Sequence, residues 1–215
     1  MSKGGRGGTS GGATGGVGVG KVRETSSLIS LRETYQTEVD QALEVLSDVR
    51  DRLGIDVNDM LVANVSGSTL GYYDGSGNIA INEKYFKNLE SLNSVYDNSI
   101  KTGFHPERGK YSGLQAVMIH ELGHRLNYVA GGSTWDNLDK SAEEMVKRAT
   151  KAVGMGNRTA QFRQKISGYA DRGGAAEAVA ESFADVYMNG NRAKRESRAL
   201  YNELITQYGL NGGRR

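Results

Sequence analysis

The chain has no cysteine, one proline and three histidines among 215 residues. Without cysteine there can be no disulfide scaffold, thiol nucleophile, iron–sulfur cluster or Cys-type zinc finger, so any metal chemistry must use histidine and carboxylate ligands. Long hydrophobic runs are also missing. No stretch approaches the roughly 18 apolar residues of a membrane helix, and the first 25 residues hold no apolar run of signal-peptide type. Cytoplasmic synthesis is the expectation, compatible with later release by lysis or packaging in a particle. Nor does one sign of charge dominate: 27 Lys and Arg face 25 Asp and Glu, a net +2, which argues against a dedicated nucleic-acid binder. The charge is uneven, however. Residues 1–24 carry +3 and 191–215 carry +4, which against the total of +2 leaves 25–190 near −5. The basic ends could touch anionic partners weakly.

What the chain has in excess is glycine, 30 residues, ten of them within the first twenty. Such a segment cannot bury enough apolar area to offset its ordering entropy, so 1–25 reads as a flexible Gly-rich tail, 26–210 as one domain and 211–215 as a short basic tail. Within the first tail Gly15, Gly20 and Lys21 have the spacing of a phosphate-binding loop. Val22 stands where Ser or Thr should reach magnesium and no strand precedes, so the match carries no nucleotide site.

From Leu28 an apolar stripe at steps of three and four (Leu31, Tyr35, Val39, Ala42, Leu46, Val49, Leu53) predicts an amphipathic helix, stopped by Gly54. Three short β-like runs follow at 61–65, 70–73 and 78–82. The last two read as a hairpin across Asp74-Gly-Ser-Gly77. Polar Lys/Asn/Ser-rich sequence to about 111 is read without an element. A second helix opens at Ser112, which has capping-box spacing to Gln115, and runs past Leu126. Helices are expected at about 137–153, 158–167, 175–188 and 195–208. The fold class is therefore α+β, a small mixed sheet followed by a helical C-terminal half.

The second helix carries His120-Glu-Leu-Gly-His124. Histidines four apart on a helix differ by roughly 40° around its axis, so both imidazoles can bind one metal ion, with zinc favoured. Glu121 lies about 100° round from His120, where it can reach a metal-bound water as general base. A catalytic zinc wants a third protein ligand. Position 130 is Ala, which excludes a His six residues after His124, so the third ligand should be a carboxylate. The stretch Ala176–Asp185 presents Glu177, Glu181 and Asp185 on one i, i+4 row amid Ala, Val and Phe. Glu177 as ligand with Glu181 holding the distal N–H of a ligand His is the reading chosen. Glu181 as ligand with Asp185 behind it, or a solvated acidic face, are the alternatives. His105, in Phe104-His-Pro106, reads as a loop residue without assigned role.

His120-Glu-Leu-Gly-His124, Asn127-Tyr-Val-Ala-Gly131, Ser167-Gly-Tyr-Ala170 and Glu177-Ala-Val-Ala-Glu-Ser-Phe183 together resemble the gluzincin family that includes the catalytic domain of anthrax lethal factor and the zincin domains of phage minor-head proteins and polymorphic toxins. The resemblance covers about 110–190, and more loosely the preceding strands and terminal helix. It implies a zincin-like metallopeptidase domain with one Zn2+ per chain held by His120, His124 and Glu177, supported by Glu181. It also implies that Glu121 activates water and that Tyr169 steadies the oxyanion, although the Tyr169–Glu177 loop is one residue longer than the family pattern. By the same resemblance an extended protein or peptide substrate would lie along an edge strand, for which Asn78–Asn82 is the candidate unless that strand is internal. Two other functions stay open: a virion-associated or interaction protein that keeps the fold without hydrolysis, and hydrolysis of a non-protein amide such as that of cell-wall peptide.

Overall fold

The computed structural model describes residues 20–21 and 26–210, apart from 56, 59 and 66. The rest of the Gly-rich segment, Gly15 of the phosphate-loop match included, and the basic 211–215 lie outside the described residues. Four strands form one mixed sheet: β1 (Gly20–Lys21), β2 (Met60–Ala63), β3 (Gly71–Tyr73) and β4 (Ile79–Asn82), in the order β1-β2-β4-β3. β1 lies within the span expected as tail, and its two residues pair antiparallel with Val62 and Leu61. β3 and β4 make the expected hairpin. Asp74 closes its turn, its carboxylate accepting from the backbone N–H of Ser76 and Asn78 at 2.8 and 3.0 Å. Gly75 and Gly77 supply the positive φ angles of 77° and 102° that this turn requires.

The strand order corrects one expectation. β4 pairs in parallel with β2 on one side and antiparallel with β3 on the other, so Asn78–Asn82 is internal and the open edge belongs to β3. Burial follows the topology, since Ile79, Ala80, Ile81 and Asn82 are all buried whereas Gly71 and Tyr72 are only partly covered.

Helix α1 (Ser26–Leu53) is kinked at Tyr35 and buries Val39, Ala42, Val45 and Val49. The stretch read without an element holds two helices, the single turn α2 (Glu83–Phe86) and α3 (Leu89–Lys101). Asn82 and Asn88 cap them, and α3 buries Leu89, Leu92 and Tyr96. Helix α4 (Gly113–Ala130) begins with the anticipated capping box, Gln115 N–H donating to Ser112 Oγ and Ser112 N–H to Gln115 Oε1. There follow α5 (Trp135–Ala152), α6 (Thr159–Ile166), a short α7 (Gly168–Gly173), α8 (Ala175–Asn189), a 3₁₀ turn at Gly190–Arg192 and α9 (Arg195–Leu210).

α4 is the hub. It packs against α1, α3, α5, α8, α9 and β3, and Leu114, Met118, Ile119, Leu122 and Leu126 on it are almost fully buried. Because water is excluded on nearly every side of α4, polar groups on it need partners within the protein. Among the described residues no helix is long and apolar enough to cross a membrane.

Candidate metal centre

Two helices bring the chemistry together. α4 and α8 cross at Gly123, where an added Cβ would lie only 2.7 Å from the Ala180 Cα. Small residues on both sides (Gly123, Ala180, Ala184) let the backbones approach closely, so the His120/His124 row faces the Glu177/Glu181 row directly. Glu177 sits in the first turn of α8, where the helix dipole favours an anion.

His120 Nε2, His124 Nε2 and Glu177 Oε2 form a nearly equilateral triangle, with sides of 3.1, 3.2 and 3.2 Å. The opposite ring nitrogen of His120, Nδ1, donates to Glu181 Oε1 at 2.8 Å. A neutral His120 with its proton on Nδ1 presents a lone pair at Nε2. Three electron-rich atoms then point at one spot, a repulsive arrangement unless a proton or cation stands between them. The donor set and spacing fit zinc: tetrahedral bonds of about 2.0–2.1 Å place neighbouring ligand atoms about 3.3–3.4 Å apart, and two His with one Glu leave a fourth position open. These three residues form a group that could hold a metal ion.

The charges of these buried imidazoles and carboxylates act strongly on one another. Burial alone would depress His120 and His124, but the carboxylates beside them reverse this and hold both imidazoles above their usual range. Burial would likewise raise the carboxyls of Glu177 and Glu181. The imidazoles outweigh it, pulling Glu177 far below the carboxylate range and Glu181 to about 2. At Glu121 burial wins instead: its carboxyl is pushed up even though His120, His124 and a backbone hydrogen bond from Tyr73 on β3 act to lower it. A carboxylate made more basic by burial is the better proton acceptor for a nearby water.

Tyr169 reaches the same place from α7. Its ring stacks on His120 with centroids 5.7 Å apart, and its hydroxyl lies close enough to the Glu177 carboxylate to feel its charge. Burial first, then the neighbouring carboxylates, keep the phenol protonated far above its ordinary range, so its O–H stays available as a donor. Asp185 lies elsewhere: it accepts from the Asn189 amide and from Lys194 N–H at 2.9 and 3.0 Å, tying the end of α8 to the entry of α9. That is a structural role.

His105 belongs to this cluster although the sequence reading left it unassigned. Its Nδ1 lies 3.0 Å from the same Glu181 Oε1 that serves His120, and its ring stacks on Tyr96 with centroids 5.1 Å apart and planes 9° from parallel. The one available signal was scarcity, since a third histidine in so histidine-poor a chain faces a site that uses the other two.

A further aromatic group borders the site. Tyr73, Tyr128 and Trp135 pack with centroids 5.3–6.1 Å apart, and Arg125 donates to the Tyr73 hydroxyl at 2.9 Å. Trp135 is 46% exposed beside the open edge of β3. No protein-family model matches the chain, and comparison with curated proteins and with solved structures returned no match.

Proposed function

We propose that the protein is a zinc-dependent peptidase of gluzincin type with a zincin-like fold, in which His120, His124 and Glu177 hold one zinc ion and protein or peptide is the substrate. The observation that carries this reading is the 3.1–3.2 Å triangle of ligand atoms, with the buried Glu121 adjacent to His120 in sequence and its carboxylate within electrostatic reach of all three ligands. A purely structural metal would need no such base.

Bound zinc supplies Lewis acidity and brings its water to a pKa of about 7. The residues do the rest. Glu121 accepts the proton of the attacking water and returns it to the departing amine, a shuttle suited to a carboxylate whose basicity burial has raised. Tyr169 donates its O–H to the substrate carbonyl oxygen as charge builds there, and that charge forms next to a donor already in place. Glu181 holds His120 with Nδ1–H inward, so that Nε2 keeps the lone pair directed at the metal. The open edge of β3, not β4, is where an extended peptide would pair, since β4 is enclosed between β2 and β3.

Elemental analysis and a peptide library test this together. Wild type should carry one zinc per chain and cleave the library, whereas Glu121→Gln should keep the zinc and lose cleavage. Cleavage by Glu121→Gln at the parent rate would overturn the mechanism. Zinc without cleavage in the wild type would favour the non-hydrolytic, virion-associated or interaction role.

A further inference from the structure

We infer that His105 is a positioning residue of the metal centre, acting through Glu181 on His120. The inference rests on the metal reading above and adds a residue that the helix motif does not contain. Glu181 Oε1 receives both imidazoles, His120 Nδ1 at 2.8 Å and His105 Nδ1 at 3.0 Å. An ionised carboxylate oxygen can only accept, so both nitrogens are N–H donors and both tautomers are set by one atom.

Glu181 is 0% exposed, and its other oxygen has no hydrogen-bond partner among the described residues. The two histidines are therefore the side chains that compensate a fully buried carboxylate. With His105 removed, Glu181 would depend on one donor, and a buried anion so poorly paired relaxes by turning or by taking a proton. Either change frees the His120 ring.

The chain fixes His105 on three sides. Gly103, with a φ of 70°, ends α3 in a turn in which Gly103 N–H donates to the Ile100 carbonyl and Phe104 N–H to that of Ser99. The loop is then joined to the start of α7: Gly168 N–H donates to the Gly103 carbonyl at 2.8 Å and Tyr169 N–H to the Phe104 carbonyl at 2.9 Å. The same two bonds place His105 and Tyr169 in register. The His105 ring lies flat on Tyr96 and edge-on to Tyr169, centroids 5.2 Å apart, while Tyr169 covers His120. His105, Glu181 and Tyr169 thus form a cup around the outer side of His120. His105 itself stays outside the ligand triangle.

Three variants test this: His105→Ala, His105→Phe, which keeps a ring on Tyr96 but has no donor, and His105→Asn, whose amide N–H can replace Nδ1–H. Zinc affinity is read by competition with a chromogenic chelator, and ligand geometry by the visible absorption of the cobalt(II)-substituted protein. Ala and Phe should weaken zinc binding about 10–100-fold, as changes behind a ligand do, and alter the cobalt spectrum. Asn should restore both most of the way. Parent-like zinc affinity in Phe, or an Asn variant no better than Ala, would overturn the inference; if Phe is too unstable to assay, the Ala and Asn pair decides alone. Wild-type protein that binds no zinc would instead sink the metal reading and this inference with it.

Discussion

Gly123 sits inside the His120–His124 motif at the crossing of α4 and α8, and replacing it by alanine separates what holds the fold from what holds the site. The new methyl would lie 2.7 Å from Ala180 Cα, 3.1 Å from Ala180 O and 3.2 Å from Phe183 Cβ. Ordinary carbon contacts begin near about 3.5 Å, so α8 must retreat by roughly 0.8 Å. Glu177 lies one turn before Ala180 on that helix and moves with it. The two triangle sides that end on Glu177 then open toward roughly 4 Å, past the about 3.3 Å that tetrahedral zinc requires. Two effects on stability oppose each other. Alanine gains about 0.8–1 kcal/mol of helix propensity, while overpacking costs about 1–3 kcal/mol. The net loss is between about zero and 2 kcal/mol, a fall in Tm of at most about 8 °C for a chain of this size. Zinc affinity should drop much further in proportion, about 10–100-fold, comparable with loss of a group supporting a ligand. Gly209→Ala is the control: it lies in α9 with nothing within 4 Å of the added Cβ, so it gains propensity without a clash. Calorimetry and chelator competition on both variants decide the matter. If Gly123→Ala melts above the parent, as Gly209→Ala should, and binds zinc equally well, the close crossing does not set the ligand geometry.

Tyr169→Phe should lower kcat about 10²–10³-fold while zinc affinity changes only a few-fold, measured with a quenched fluorescent peptide; equal kcat would remove Tyr169 from the chemistry. Stability should depend on pH in opposite senses with and without metal. In the metal-free protein the raised His120 and His124 contribute stability that is complete below their unfolded value of 6.5 and lost as pH rises through their folded values. The lowered Glu177 and Glu181 contribute stability that is present above 4.5 and lost as pH falls. Metal-free Tm should therefore peak between about pH 4.5 and 6.5, whereas zinc binding displaces the imidazole protons and zinc-loaded Tm should climb with pH. Parallel curves would contradict this. Saturating peptide should shift Trp135 emission to the blue in the Glu121→Gln protein, because Trp135 is half exposed beside β3; an unchanged spectrum would argue against pairing at that edge.

Much of the fold was legible because its signals are local. The Ser112/Gln115 capping box, the Asp74 turn and the apolar steps of α1 each lie within a few residues, and each appears in the structure. α3 carries a weaker version of the same signal. Leu89, Leu92 and Tyr96 recur at steps of three and four behind an Asn88 cap, but Lys, Asn and Ser on the exposed face dominate the composition. β1 was not legible, since Gly20 and Lys21 pair through backbone atoms and leave no pattern in side chains. Strand order was hidden for a related reason. A hairpin signal says that β3 adjoins β4, but which of them also meets β2 depends on a parallel pairing of residues 60–63 with 79–82 that no turn specifies.

The same division runs through the site. His120, Glu121, His124, Glu177 and Glu181 could be singled out because one helix repeat aligns each row, and the helical period converts spacing into direction. The helical repeat alone does not separate Glu177 from Glu181, because both lie on the same row one turn apart; the choice of Glu177 leaned on the family resemblance. Their difference is one of depth: Glu177 reaches both Nε2 atoms, while Glu181, one turn further on and wholly buried, meets the Nδ1 atoms of His120 and His105. Depth along a helix is set by where its partner crosses, hence by Gly123 and Ala180. His105 lay beyond this logic altogether, because it comes from a loop whose course is fixed by backbone bonds to residues 168 and 169, more than sixty positions away. Periodicity therefore identifies the residues that could touch a metal, and tertiary crossing decides which of them converge on one point and which support those from behind.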